Sequence, residues 1–305
     1  MGTSAHQLEA APAPFRTRVP LAFTLLFPAF LLLAAVLGYP VLYSIYLSFV
    51  NAQLTRPNDQ TLAGLSNYAA LLDDPLFGQA LAITLVITVG AVAVSFVLGL
   101  SFALLVDGLK GRLAGIRGLL LAPWVTPAIV VGFLFLYMFD QQAGVINLVL
   151  EAFGATDGRT AWLSDSTLSV VAVTVATIWT QTPFYLLMFA AALTAIPTEQ
   201  RESMLIDGAN RWNEFVHLTV PYLRNVMVVA TLLMFIRNFN AFPIIWTMTQ
   251  GGPVYSTSTL VVYVYRVAFQ QFDFGYASAV GVVWLAVLLV LALAYVRFLR
   301  RTSLA

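Results

Sequence analysis

Three groups of side chains in this 305-residue chain have the type and spacing to do chemistry. Thr174, Thr177, Gln181 and Tyr185 recur three or four residues apart, on one face of a helix. Arg237, Asn238 and Asn240 interrupt a later apolar run. Glu199, Glu202, Asp207, Gly208 and Ala209 belong to a polar segment between the two. Hydroxyls, carboxamides and a guanidinium hydrogen-bond to polar partners and hold charge. They are not a nucleophile paired with a base. His6 and His217 are isolated, and no acid pair has catalytic spacing. Zero cysteines exclude thiol catalysis, disulfides and thiolate metal sites. The chain also lacks a Gly-rich phosphate loop followed by Lys and Ser/Thr. We therefore predict no catalytic residue, no metal ligand and no cofactor in this chain. The chemistry is recognition and transmission.

Such groups need elements to carry them. Apolar stretches cover residues 21–49, 80–106, 119–139, 168–192, 226–249 and 278–299. Each approaches or exceeds the roughly 20 residues that cross a bilayer core as a helix. At 60% hydrophobic and 10% charged residues, these runs exceed what a soluble core of this length requires. Backbone groups in lipid must pair internally, which makes the runs helices. A barrel would show short alternating segments instead. The predicted fold is an all-α integral membrane protein with six transmembrane helices. A tail over 1–18 precedes a membrane domain over 19–301, and 302–305 form a second tail. The first run is too long for the apolar region of a cleaved signal peptide and is read as a retained span.

Charge placement orients the spans. With the amino terminus in the cytoplasm, Arg16, Arg18, Lys110, Arg112, Arg117, Arg201, Arg211, Arg224, Arg297, Arg300 and Arg301 fall inside. Arg56, Arg159 and Arg266 fall outside. This asymmetry obeys the positive-inside rule and puts both termini in the cytoplasm. The basic residues follow topology without aromatic interleaving, so nucleic-acid binding is not expected. Pro28 and Pro40 should bend or break the first span, Pro123 and Pro127 the third, and Pro243 the fifth. Gly90 and Gly99 mark the second span for close packing. The polar face of the fourth span has two readings, hydrogen bonding between helices and lining of a transport path. Arg237 also has two. It would be costly toward lipid, so it either clamps helices or meets water or solute.

The segment over 193–225 is the strongest functional signal. Pro197 and Thr198 mark a helix start, Glu199 and Glu202 suit its first turns, and Gly208 bends it. Ala209, Trp212, Phe215 and Val216 then resume helical spacing before Pro221 opens the approach to the fifth span. The run Glu202-Ser203-Met204-Leu205-Ile206-Asp207-Gly208-Ala209, followed by Trp212, Phe215 and Leu218-Thr219-Val220-Pro221, resembles the "EAA" loop of the membrane permease subunits of binding-protein-dependent ABC importers. Ser203 and Met204 depart from the family's alanines. Asn240-Ala241-Phe242, Thr249-Gln250-Gly251-Gly252-Pro253, Thr257 and Gly275-Tyr276-Ala277-Ser278-Ala279 resemble carbohydrate-type permeases, nearest the MalF-like and glycerol-3-phosphate permease A-like branch.

The resemblance implies a type I ABC importer permease fold. It also implies a second homologous permease subunit, two cytoplasmic ATPase subunits that bind ATP and Mg, an extracytoplasmic solute-binding protein and a bacterial-type inner-membrane location. Glu202, Asp207, Gly208 and Ala209 would couple to the ATPase. Thr177, Gln181, Tyr185, Arg237, Asn238 and Asn240 would line the path of a sugar, oligosaccharide or polyol derivative. A scaffold that recruits an ATPase without transport and an intramembrane enzyme are the competing readings.

Overall fold

The computed structural model describes residues 18–56, 60–108, 114–157 and 159–303. Most of the predicted amino-terminal tail, with His6 and Arg16, lies outside them, as do Lys110, Arg112 and the end of the carboxyl-terminal tail.

Helices make up most of the described chain. The first span, Leu25–Ser48, joins α1 (Arg18–Leu33), one wide π-helical turn (Ala34–Gly38) and α2 (Tyr39–Ser48). A proline ring crowds the carbonyl four residues back. The wide turn before Pro40 relieves that crowding at Pro40, and the span runs unbroken past both Pro28 and Pro40, so the break that the sequence allows does not occur. A two-stranded ribbon follows, β1 (Val50–Asn51) antiparallel to β2 (Thr61–Leu62). Then come α3 (Ser66–Leu72) and the second span, α4 (Pro75–Gly108).

The third span is broken. Its halves, α5 (Ala114–Val125) and α6 (Ala128–Met138), meet at an angle of 102°. Pro127 lies in the break, and Thr126 Oγ1 bonds back to the Ala122 carbonyl at 2.8 Å. Among the described residues, five helices are therefore long and apolar enough to cross a membrane, and six spans result if the bent pair is one. After α7 (Val145–Ala152), the fourth span is α8 (Ser166–Leu193), capped by Asp165 through the amides of Thr167 and Leu168.

The fifth span departs most from its predicted bounds. α9 (Thr198–Ile206) and α10 (Arg211–Glu214) precede a second wide turn (Phe215–Thr219) and α11 (Val220–Phe239). The run from Arg211 to Phe239 is continuous, because the wide turn again relieves the following proline, Pro221. The helix then stops at Asn240, and Pro243 opens a separate helix, α12 (Pro243–Thr249). α13 (Leu260–Phe269) and α14 (Phe274–Ser303) complete the chain.

Small residues set the core. A β-carbon at Gly99 on α4 would lie 2.3 Å from Tyr185 Cβ on α8. Ala91 and Ala103 on α4, and Ala172 and Ala176 on α8, are fully buried. In lipid such close approach supplies the packing that hydrophobicity supplies in water. A second cluster seats Val131 and Phe135 of α6 against Ile245 and Met248 of α12. At the start of α4, Asp74 accepts from the Leu76 amide at 2.9 Å, from the Tyr276 hydroxyl at 2.6 Å and from the Tyr263 hydroxyl. Burial opposes ionisation of Asp74, but these donors prevail and hold its carboxyl below the ordinary aspartate range. The carboxylate thus ties α4, α13 and α14 together.

The Gly99 contact predicts its own test. Gly99→Leu should destabilise the purified chain by at least the roughly 1–3 kcal/mol typical of overpacking, since backbone as well as side chain is in the way. Gly118→Leu, where an added β-carbon meets nothing within 4 Å, should leave stability near wild type. Thermal unfolding in detergent compares the two.

Candidate functional site

Two regions collect the functional groups, one at the end of the bundle where α9 and α10 lie and one at the breaks in the third and fifth spans. In the first, α9 ends in a tight hydrogen-bonded stop. The Gly208 amide bonds to the Leu205 carbonyl at 3.1 Å and the Ala209 amide to the Met204 carbonyl at 2.9 Å. This pattern demands a left-handed residue after the cap. Gly208 supplies it at φ +74°, and a β-carbon there would meet nothing within 4 Å. Gly208 is thus required for its backbone conformation, at the bend that the sequence predicts, and not for want of space. Asn210 then starts α10 by accepting from the Asn213 amide at 2.9 Å.

The stop decides which side chains face out. Glu202, Asp207 and Gly208 are exposed and Ala209 is half-buried. Leu205 (64% exposed), Ile206 (86%) and Trp212 (67%) are open too, while Met204 packs onto the core cluster of α4 and α8. Exposed apolar side chains therefore stand beside the exposed acids Glu202 and Asp207 on this segment. One further residue holds this segment, unseen in the sequence beyond its topological role. Arg201 on α9 pairs through Nη1 with Asp107 at the end of α4 at 2.9 Å, and its Nε lies 3.8 Å from Glu214 on α10. The available sequence signal is Asp107 itself, an acid closing an otherwise apolar run.

In the second region, Gln181 and Asn238 form a reciprocal amide pair between α8 and α11. Asn238 Nδ2 donates to Gln181 Oε1 at 2.8 Å, and Gln181 Nε2 donates to Asn238 Oδ1. Both are buried. Thr177 is buried and donates to its own helix, at the Val173 carbonyl, 2.8 Å away. Tyr185 is fully buried against Phe96 and Phe189. Arg237 and Asn240 are exposed. The Arg237 guanidinium lies 4.4 Å over the Trp124 ring, which stacks on Phe184 at 5.1 Å. Asn240 Nδ2 donates to the Ile236 carbonyl at 2.6 Å and closes α11. Trp124 sits just before the 102° break, so this pairing joins the ends of two interrupted spans. The sequence marks Trp124 only as an interfacial anchor.

Beyond α12, the loop with Gly251 and Gly252 folds on itself. Thr257 Oγ1 lies 2.6 Å from Thr249 Oγ1 and donates to the Gly252 carbonyl at 2.8 Å, while Ser256 contacts Ser169 of α8 at 3.1 Å. Among the described residues, no three His, Asp or Glu side chains gather as a metal site.

Residues 96–304 match the model of the family described as the binding-protein-dependent transport system inner membrane component. The chain is 34% identical to the sulfoquinovosyl glycerol transport system permease protein SmoG of Agrobacterium fabrum, over 92% of this chain and 90% of that protein. It is 28% identical to the trehalose/maltose transport system permease protein MalF of Thermococcus litoralis, over 91% and 92%. A solved bacterial ABC transporter involved in the import of the acidic polysaccharide alginate contains a chain of the same fold. Its TM-score is 0.77 at 21% identity, covering 93% of this chain and 96% of that one. With its multi-spanning α-helical fold and the exposed helix–Gly–helix segment before its fifth span, this chain belongs to the binding-protein-dependent ABC importer family as a non-catalytic, type I permease subunit.

Proposed function

We propose that this chain is half of the membrane pathway of an ATP-driven carbohydrate importer of the MalF-like branch. Both termini are cytoplasmic. It pairs with a second, related permease, and two ATPase subunits bind ATP and Mg. An extracytoplasmic binding protein delivers the solute. The observation that carries this reading is the exposed Leu205–Ile206–Trp212 surface beside Glu202 and Asp207. The Gly208 stop shapes this surface, and Arg201 ties it to α4. A surface of this kind fits an apolar groove on the ATPase. Relatives named for trehalose, maltose and diacetylchitobiose transport support a carbohydrate solute.

The solute path runs along the α8–α11 seam, past Thr177, Gln181, Tyr185, Arg237, Asn238 and Asn240. In this conformation the Gln181–Asn238 pair closes the seam. Amides that bond to each other can bond to sugar hydroxyls when the helices part, which keeps every polar group satisfied in both states. Tyr185 could then cover an apolar sugar face.

Coupling is tested at the stop. Gly208→Val forces a β-branched residue into left-handed backbone, at a cost of roughly 1–3 kcal/mol. Gly208→Asn tolerates that backbone. In complexes normalised for assembly, Gly208→Val and Glu202→Ala should lower solute-stimulated ATP turnover several-fold, and Gly208→Asn should retain most of it. Equal turnover in all three would reject the coupling role. The path is tested by single cysteines, placed in the cysteine-free chain, at Thr177, Gln181, Tyr185, Asn238 and Asn240. Thiol labelling should change with nucleotide state and fall with transported solute. Labelling indifferent to both, with uptake intact, would make these residues packing groups.

A further inference from the structure

Arg237 has an environment that neither packing nor topology explains. On α11 the exposed positions Asn225, Val229, Leu233 and Arg237 recur every four residues, about 100° around the helix from the buried Ala230, Met234 and Asn238. The guanidinium therefore ends an apolar stripe on the helix face that this chain leaves open. Among the described residues it makes no ion pair and no hydrogen bond. The acids within membrane-length helices are Asp107 and Glu214, and both gather at Arg201. Glu214 stands about six helical turns from Arg237. The last turn of α11 favours a cation, but weakly.

The guanidinium carbon lies 4.4 Å over the Trp124 ring, and Phe184 stacks on Trp124. A cation–π contact of this kind attracts the charge and consumes none of the N–H donors. A guanidinium with its donors unspent can bind a two-oxygen anion in a bidentate manner. A bare charge in a span is costly and marks a pathway when no partner is built for it.

We infer that Arg237 is a specificity-determining residue of the solute path and receives the carboxylate, sulfonate or phosphate of an acidic sugar. This rests on the importer reading above and narrows its solute class. The same anionic chemistry could come from a lipid headgroup or from an acid on the second permease. We assign it to the solute because Arg237 lies beside the α5–α6 break, over Trp124, and three residues from Asn240 on the proposed solute path.

The test uses the complete complex in vesicles, with Asn240→Cys as the reporter. The probes are an anionic and a cationic methanethiosulfonate of similar size. With Arg237 present, the anionic reagent should be favoured, relative to a free thiol, by roughly tenfold, as expected for one unpaired charge a few ångströms away. Arg237→Gln should abolish the preference and Arg237→Lys should keep it. A ratio unchanged by Arg237→Gln overturns the inference, since a resident acid would then neutralise the charge. A preference seen in phosphatidylcholine vesicles and lost in phosphatidylglycerol vesicles assigns the anion to lipid and also overturns it. Uptake is then compared for matched pairs such as glucose and glucuronate. Uptake of acidic members, reduced more than tenfold by Arg237→Gln and restored in part by Arg237→Lys, supports the inference. Uptake confined to neutral members overturns it and leaves the carbohydrate-importer reading standing. Failure of any carbohydrate to enter overturns both.

Discussion

The constraint on which this structure depends is the absence of water in the bilayer core. Every backbone N–H and carbonyl there must find a partner in the protein. Most of the chain complies with long helices. The exceptions occur near prolines, where helices end. Thr126 and Asn240 bond through their side chains to carbonyls one turn back, Ala122 and Ile236, in the last turns of α5 and α11. The two π-helical turns before Pro40 and Pro221 solve the same problem without a break, by widening the helix. Side-chain bonds at helix ends and widened turns within helices are thus two local answers to the same demand. The polar side chains that could meet a solute gather around the breaks.

A continuous set of contacts joins the two functional regions. Arg201 links α9 to the end of α4 through Asp107. Along α4, the missing β-carbon of Gly99 lets α8 approach until Tyr185 lies against the backbone. On α8, Gln181 grips Asn238 of α11, one residue from Arg237. The ion pair is partly exposed and contributes little stability by itself, on the order of 0–1 kcal/mol. Its value lies in position. It holds α9 and α10 beside the closely packed α4–α8 pair.

Much of the fold was legible in the sequence because lipid makes it so. Long apolar runs and the prolines Pro123, Pro127 and Pro243 are read directly as spans and interruptions. The exposed helix–Gly–helix segment was legible for a different reason. A glycine that interrupts one helix, followed by renewed periodicity at Ala209, Trp212, Phe215 and Val216, leaves a pattern in consecutive residues. The polar positions at 177, 181, 238 and 240 were also visible, since amides and hydroxyls stand out in an apolar run.

Their partners were not visible. Whether Gln181 faces a path or another helix depends on where Asn238 arrives, and nothing local to either residue encodes that. The same holds for Arg237 over Trp124 and for Arg201 between Asp107 and Glu214. The bounds of the fifth span were misread for a related reason. Hydropathy continues through Asn240–Phe242, but a proline and a side-chain cap stop the helix there. By itself the sequence determined the membrane class, the periodic faces of the helices and the position of the helix–Gly–helix segment, because each follows from residues a few positions apart. The tertiary structure alone decided which polar groups are spent on one another and which are left open. Pairing across distant helices is set by close packing at residues such as Gly99 and by the geometry of the broken spans, not by neighbours in the chain.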